Sequence, residues 1–167
     1  MPDRLSALDA SFLSLERGEL PMHIAALMVF EGPPPGYEEF RAAIEQRLDL
    51  LPRYRQRVRE VPLQVNAPVW VDDPHFQLDY HLRHASVPPP GRDAQLAELV
   101  ARLHGRPLDR TRPLWELYVI EGLEYARFAI YTKLHHAALD GLGPIALIEA
   151  LADGSTPEGV APERAPQ

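Results

Sequence analysis

Two strand-like runs, Leu114 to Gly122 and Ala126 to His135, are separated by only three residues. So short a gap leaves room for nothing but a tight connection, and the pair predicts an antiparallel hairpin. The linking Leu123-Glu124-Tyr125 lacks the Asn-Gly or Gly that such turns favour. Along the second run, alternation places Phe128, Ile130, Thr132 and Leu134 on one face with His136, and Tyr131 and Lys133 on the other with His135. Adjacent histidines in an extended chain point opposite ways, so at most one of them enters a given cavity.

The rest of the chain supplies helices and shorter strands around this hairpin. Ser6 to Leu15 has Leu8, Phe12 and Leu15 on one side of a short helix, and Met22 to Glu31 is an apolar strand bounded by Pro21 and Gly32. Tyr37, Phe40, Ile44, Leu48 and Leu51 recur every three or four residues, an amphipathic helix closed by Pro52. Arg53, Arg55, Arg57 and Arg59 alternate as if along an extended segment with one cationic face, a solvated face or a seat for a phosphate. Val69 to Val71 and Leu78 to Ala85 read as further strands. Asp93 reads as the N-cap of a second amphipathic helix through Leu96, Leu99, Val100 and Leu103, ending near Gly105. Leu142 to Leu151 is apolar nearly all round, as a buried helix would be. Strands interleaved with helices, and no internal repeats, predict an α/β sandwich.

Composition removes several function classes. The net charge of −7 argues against a nucleic-acid partner, which needs a basic face. With no cysteine, disulfides and thiolate metal sites are ruled out and an intracellular location is expected. No run approaches the roughly 20 apolar residues that span a bilayer. The N-terminus has acidic residues early and no apolar core of signal-peptide length, which argues against secretion. Trp70 and Trp115 sit among apolar neighbours and read as core, whereas His23, His75, His81, His84 and His104 read as surface or loop residues.

The segment that carries chemistry is YTKLHHAALDGLG, Tyr131 to Gly143. A metal site needs several side chains converging on one point, and His135 and His136 converge poorly, so no metal is expected. General-base catalysis needs only one histidine at a strand end, facing a cleft, with its tautomer fixed by a neighbour. Asp140 could touch an imidazole or pair with an arginine to hold the loop, and Gly141 would let a substrate come close to the backbone. The plain structural alternative makes the histidines ordinary strand-end residues and Asp140 a helix N-cap.

HHAALDG fits the HHxxxDG signature of the superfamily that includes chloramphenicol acetyltransferase, carnitine acyltransferases and the condensation domains of nonribosomal peptide synthetases. RPLDRTRPLWELYVIEGL (Arg106 to Leu123) resembles the PLW-containing segment of bacterial wax ester synthase/diacylglycerol acyltransferases. So do LSALDASFLSLE (Leu5 to Glu16), PMHIAALMVFEG (Pro21 to Gly32) and PVWVDDPHFQLDYHLRHASVPPPG (Pro68 to Gly91). The resemblance implies a chloramphenicol acetyltransferase-like two-layer α/β sandwich, the N-terminal half of a two-domain, pseudo-dimeric acyltransferase. It makes residues 1–152 the N-terminal subdomain and 153–167 a linker or a cleaved interdomain stump.

By the same resemblance, His136 is the general base, His135 supports the loop, and Asp140 is structural. Pro113, Leu114 and Trp115 match the PLW segment as structural or substrate-lining residues. The implied reaction moves a fatty acyl group from acyl-CoA, a co-substrate rather than a cofactor, to a long-chain alcohol or diacylglycerol. The implied partners are the C-terminal half of the same precursor, which would bring the oxyanion donors, and a lipid surface reached from the cytoplasm. Another CoA- or carrier-protein-dependent transferase of the superfamily, or a non-catalytic lipid-surface or partner-binding domain, is the alternative.

Overall fold

The computed structural model describes residues 3–16, 21–49, 51–61 and 66–138. The hairpin forms as expected, from β6 (Trp115–Leu123) and β7 (Arg127–His135), paired antiparallel from Trp115↔Leu134 onward. Its turn takes the left-handed conformation at Tyr125 (φ 63°) and Ala126 (φ 50°). That is the backbone hand that follows the twist of the strands, reached here without glycine. The registers shift between Ile120 and Leu123, and Gly122 (φ 86°) occupies the irregularity.

β2 (His23–Glu31) pairs antiparallel with β7, and β5 (Leu82–Ser86) pairs parallel with β6, giving a four-stranded sheet in the order β2-β7-β6-β5. Alternation then decides the packing. Leu117, Val119, Ile130 and Leu134 meet Phe40, Ile44 and Leu48 of α2 (Tyr37–Leu48). Tyr118, Ile120, Ala129 and Tyr131 meet Leu96 and Leu103 of α4 (Asp93–His104). The α/β sandwich expected from the sequence is therefore built around this sheet, with α2 against one face and α4 against the other.

A smaller antiparallel sheet, β1 (Asp3–Arg4), β4 (Val69–Asp72) and β3 (Gln56–Arg59) in the order β1-β4-β3, lies beside it. Leu5, Trp70, Leu108, Leu114, Ala137 and Ala138 form the apolar cluster that joins this sheet to α1 (Ala7–Leu15) and to the turn after β7. Ser6 caps α1, its hydroxyl oxygen accepting the Asp9 N–H at 3.1 Å.

Three local expectations change. Leu78 to Ala85 is not one strand: α3 (Leu78–His81) is a helical turn that precedes β5. Leu78 and His81 are both buried, and a three-residue spacing puts both on one side only if the chain is helical there. The arginine run likewise starts with a 3-10 turn, Pro52–Arg55, and only Gln56–Arg59 is extended. Its cations do not form one face, because Arg53 pairs with Asp3 at 2.6 Å and Arg55 with Asp49 at 3.1 Å. Finally, Arg92 rather than Asp93 is the N-cap of α4, its N–H donating to Gln95 Oε1 at 2.8 Å. The expected helix Leu142 to Leu151 and the linker 153–167 lie outside the described residues.

Candidate active site

β7 ends at His135 because the chain turns there into a 3-10 turn, His136–Ala138. Two backbone bonds fix the exit: His135 N–H donates to the Leu114 carbonyl at 3.0 Å, and His136 N–H to the Met22 carbonyl at 2.8 Å. His136 thus begins the turn instead of continuing the strand face of Leu134. Its half-buried imidazole stacks on Phe12 of α1, centroids 4.6 Å apart.

His135 is fully enclosed. Its Nδ1 accepts the N–H of Ala137 at 3.0 Å, and its Nε2 lies 3.4 Å from Oε2 of Glu16. Burial pushes its pKa down to about 4, against the opposing charge of Glu16, so the ring is neutral at neutral pH. Asp140 and Gly141 lie outside the described residues.

Glu16 is the centre of a partly buried polar group that the sequence pattern did not single out. Arg110 donates to Glu16 Oε2 from Nε at 2.9 Å and from Nη2 at 2.6 Å, across 94 positions of chain. His23 Nε2 lies 3.2 Å from Oε1, and the Met22 N–H donates to the same oxygen at 3.3 Å. Burial raises the Glu16 carboxyl, but the Arg110 bond, the His135 ring and the Met22 N–H together hold it below its usual range. One signal was present: Phe12 and Glu16 are four apart at the end of a helix, so both can face the same strand end. The pairing with Arg110 leaves no trace in periodicity.

The reading of His23 and His81 as surface or loop residues is corrected, since both are buried. His81 is held between Trp115 and Phe76, with ring centroids at 4.6 and 5.2 Å, and its Nδ1 meets the Trp115 carbonyl at 2.8 Å. No local pattern marks either histidine as buried, and only the tertiary packing encloses them. His75 and His84 are exposed, and His104 is half-buried, its Nδ1 3.1 Å from the Tyr131 hydroxyl.

Trp115 is packed into the core, its indole N–H donating to the Tyr54 carbonyl at 2.8 Å. Pro113 is buried beside it, and Leu114 borders a cleft of about 410 Å³ between α1 and the small sheet. Ala10, Leu13, Val58, Pro68 and Arg110 line that cleft, and His136 is not among its lining residues. No group of three or more His, Asp or Glu side chains among the described residues is arranged to hold a metal ion. No helix among them is long and apolar enough to cross a membrane.

The probable diacylglycerol O-acyltransferase tgs3 of Mycobacterium tuberculosis is 47% identical over 174 residues, covering 99% of this chain and 64% of that protein. The solved wax ester synthase/diacylglycerol acyltransferase of Marinobacter aquaeolei VT8 matches with a TM-score of 0.69 and 37% identity, covering 83% of this chain and 35% of that one. The starter condensation domain of rhizomide synthetase RzmA shares the fold alone, with a TM-score of 0.66 at 21% identity, over 94% of this chain and 41% of its own. The chain therefore spans just under two thirds of tgs3 and about a third of the Marinobacter enzyme. A family model of the wax ester synthase/diacylglycerol acyltransferase catalytic domain matches residues 5–167, and the chain belongs to that family.

Proposed function

We propose that this chain carries the general base of an acyl-CoA-dependent O-acyltransferase, with His136 in that role and a long-chain alcohol or diacylglycerol as acceptor. The observation that carries the reading is the contrast between the two histidines of the motif. His135 is enclosed and bonded into the turn, while His136 keeps an accessible edge at the strand end. A base must reach the hydroxyl proton that it removes, and of the two rings only His136 can meet a substrate.

In the reaction, the His136 imidazole takes the acceptor's hydroxyl proton as the oxygen attacks the thioester carbonyl. The tetrahedral intermediate then expels the CoA thiolate, and the imidazolium returns the proton to the sulfur. An oxyanion forms on the way and needs hydrogen-bond donors. We assign these donors, and the far wall of the substrate channel, to the additional length of the relatives, so the partner of this region is a second half of the acyltransferase. A lipid surface that supplies the apolar substrates fits the same reading.

The test is CoA release from palmitoyl-CoA with hexadecanol or a diacylglycerol, using the full-length protein. His136→Ala should cut turnover by about 10²–10⁴-fold, the usual share of general acid–base help. Turnover unchanged in that variant would remove His136 from the chemistry.

A further inference from the structure

The surroundings of His135 assign its tautomer. Because Nδ1 accepts the Ala137 N–H at 3.0 Å, that nitrogen carries no proton. A neutral imidazole then holds its proton on Nε2, and Nε2 faces Oε2 of Glu16 at 3.4 Å. Glu16 is not free to turn away. Arg110 holds the same oxygen through two N–H groups, and its Nη2 also reaches the Leu13 carbonyl at the end of α1 at 2.8 Å. One guanidinium thereby ties the loop before β6 to α1 and to the carboxylate behind the motif.

We propose that Glu16, clamped by Arg110, is the positioning residue for the His136 turn: it keeps the His135 proton on Nε2, so that Nδ1 stays free to hold the Ala137 N–H. The inference rests on the reading of His136 as the base. At 3.4 Å the contact is electrostatic rather than a well-formed hydrogen bond, and without the carboxylate the enclosed Nε2–H loses the anion that faces it. Moving the proton to Nδ1 would then set two donors, Nδ1–H and the Ala137 N–H, against each other and open the turn. The other charged or titratable neighbours do not replace Glu16: Arg110 and Lys133 carry donors only, and the His23 ring sits edge-on to His135 with centroids 6.0 Å apart.

The experiment uses the full-length protein labelled with ¹⁵N-histidine, read by NMR beside the CoA-release assay. In the unmutated protein His135 should show a protonated Nε2 and a bare Nδ1. Glu16→Leu should shift the proton at least partly to Nδ1 and lower kcat by about 10–100-fold, by analogy with partners that orient metal-ligating histidines. KM for palmitoyl-CoA should stay within about twofold, because substrate binding is not what was removed. Glu16→Gln keeps an acceptor oxygen and should restore the Nε2–H signal and most of the turnover.

A His135 protonated on Nδ1 in the unmutated protein overturns the proposal outright. So does a folded Glu16→Leu variant with an unchanged His135 signal, whatever its activity. If Glu16→Leu does not fold, the unmutated spectrum and Glu16→Gln decide, and a folded Gln variant with neither signal nor turnover restored counts against the proposal. Failure of the His136 reading appears separately, as full activity in His136→Ala with the His135 spectrum intact.

Discussion

Lys133 stands on β7 two residues before His135, fully enclosed, and its ammonium must replace every contact that it loses with water. Nζ lies 3.2 Å from Glu116 Oε2 and donates to the carbonyls of Leu103 and Arg106 at 2.8 and 2.9 Å. The Leu103 carbonyl belongs to the last turn of α4, where helix carbonyls lack partners of their own and a cation meets the negative end of the helix. Burial pulls the Lys133 pKa down and Glu116 opposes it. Lys133→Ala leaves Glu116 and two carbonyls short of a donor, so it should lower stability by about 3–5 kcal/mol, as removing one partner of a buried pair does. Glu116 retains the Tyr118 hydroxyl at 3.0 Å and Arg83 at 3.4 Å in either variant, so Lys133→Met, which keeps the stem and opens no cavity, should cost less than Lys133→Ala. Urea unfolding midpoints of the two variants give the comparison.

Among the elements, those whose residues repeat in register with their own geometry were legible in the sequence. The hairpin, α1, β2 and α2 stand within a few residues of where alternation and helical spacing put them. The α3 turn and the 3-10 turn at Pro52 were not legible, because four residues are too few to establish a period. The polar centre of the site was legible only in part. The motif points to His135 and His136, but Glu16 and Arg110 meet through chain folding and carry no local signature. Gly91 shows the same limit. It follows Pro88-Pro89-Pro90, a run whose sequence reads only as a stiff connector, yet its φ is 77° and its carbonyl accepts the Glu124 N–H at 3.0 Å. A Cβ built there would collide with the Gly122 carbonyl oxygen and with the backbone of Leu123 and Glu124. Neighbouring backbone cannot yield as a flexible side chain would. Gly91→Ala should therefore destabilise by at least about 1–3 kcal/mol, the scale of a residue forced into a rare conformation, and loosen the β6–β7 turn. Thermal unfolding should show the first effect, and faster amide exchange at Glu124 the second.

At the scale of the whole molecule, the enclosed histidines make stability depend on mild acid. Burial pushes both His81 and His135 down to about 4, against an ordinary value of 6.5 in the unfolded chain. Between those values the unfolded state binds protons that the folded state refuses, so stability rises with pH across the window and is lost as pH falls from about 6.5 toward 4. Each ring can withdraw roughly 2–3 kcal/mol by about pH 4.5, which is a large share of the margin of a typical domain. The lowered Glu16 carboxyl acts with the same sign but further into acid, where its own protonation removes the Arg110 and Met22 contacts. His81 is the better residue for a test, since its ring lies in the Trp115–Phe76 stack away from the motif turn. His81→Gln should lower stability at pH 7, where it loses the stack, and should also flatten the decline between pH 6.5 and 4.5. Melting temperatures of both proteins across that range measure the two slopes. Parallel curves would mean that the acid sensitivity arises elsewhere in the fold.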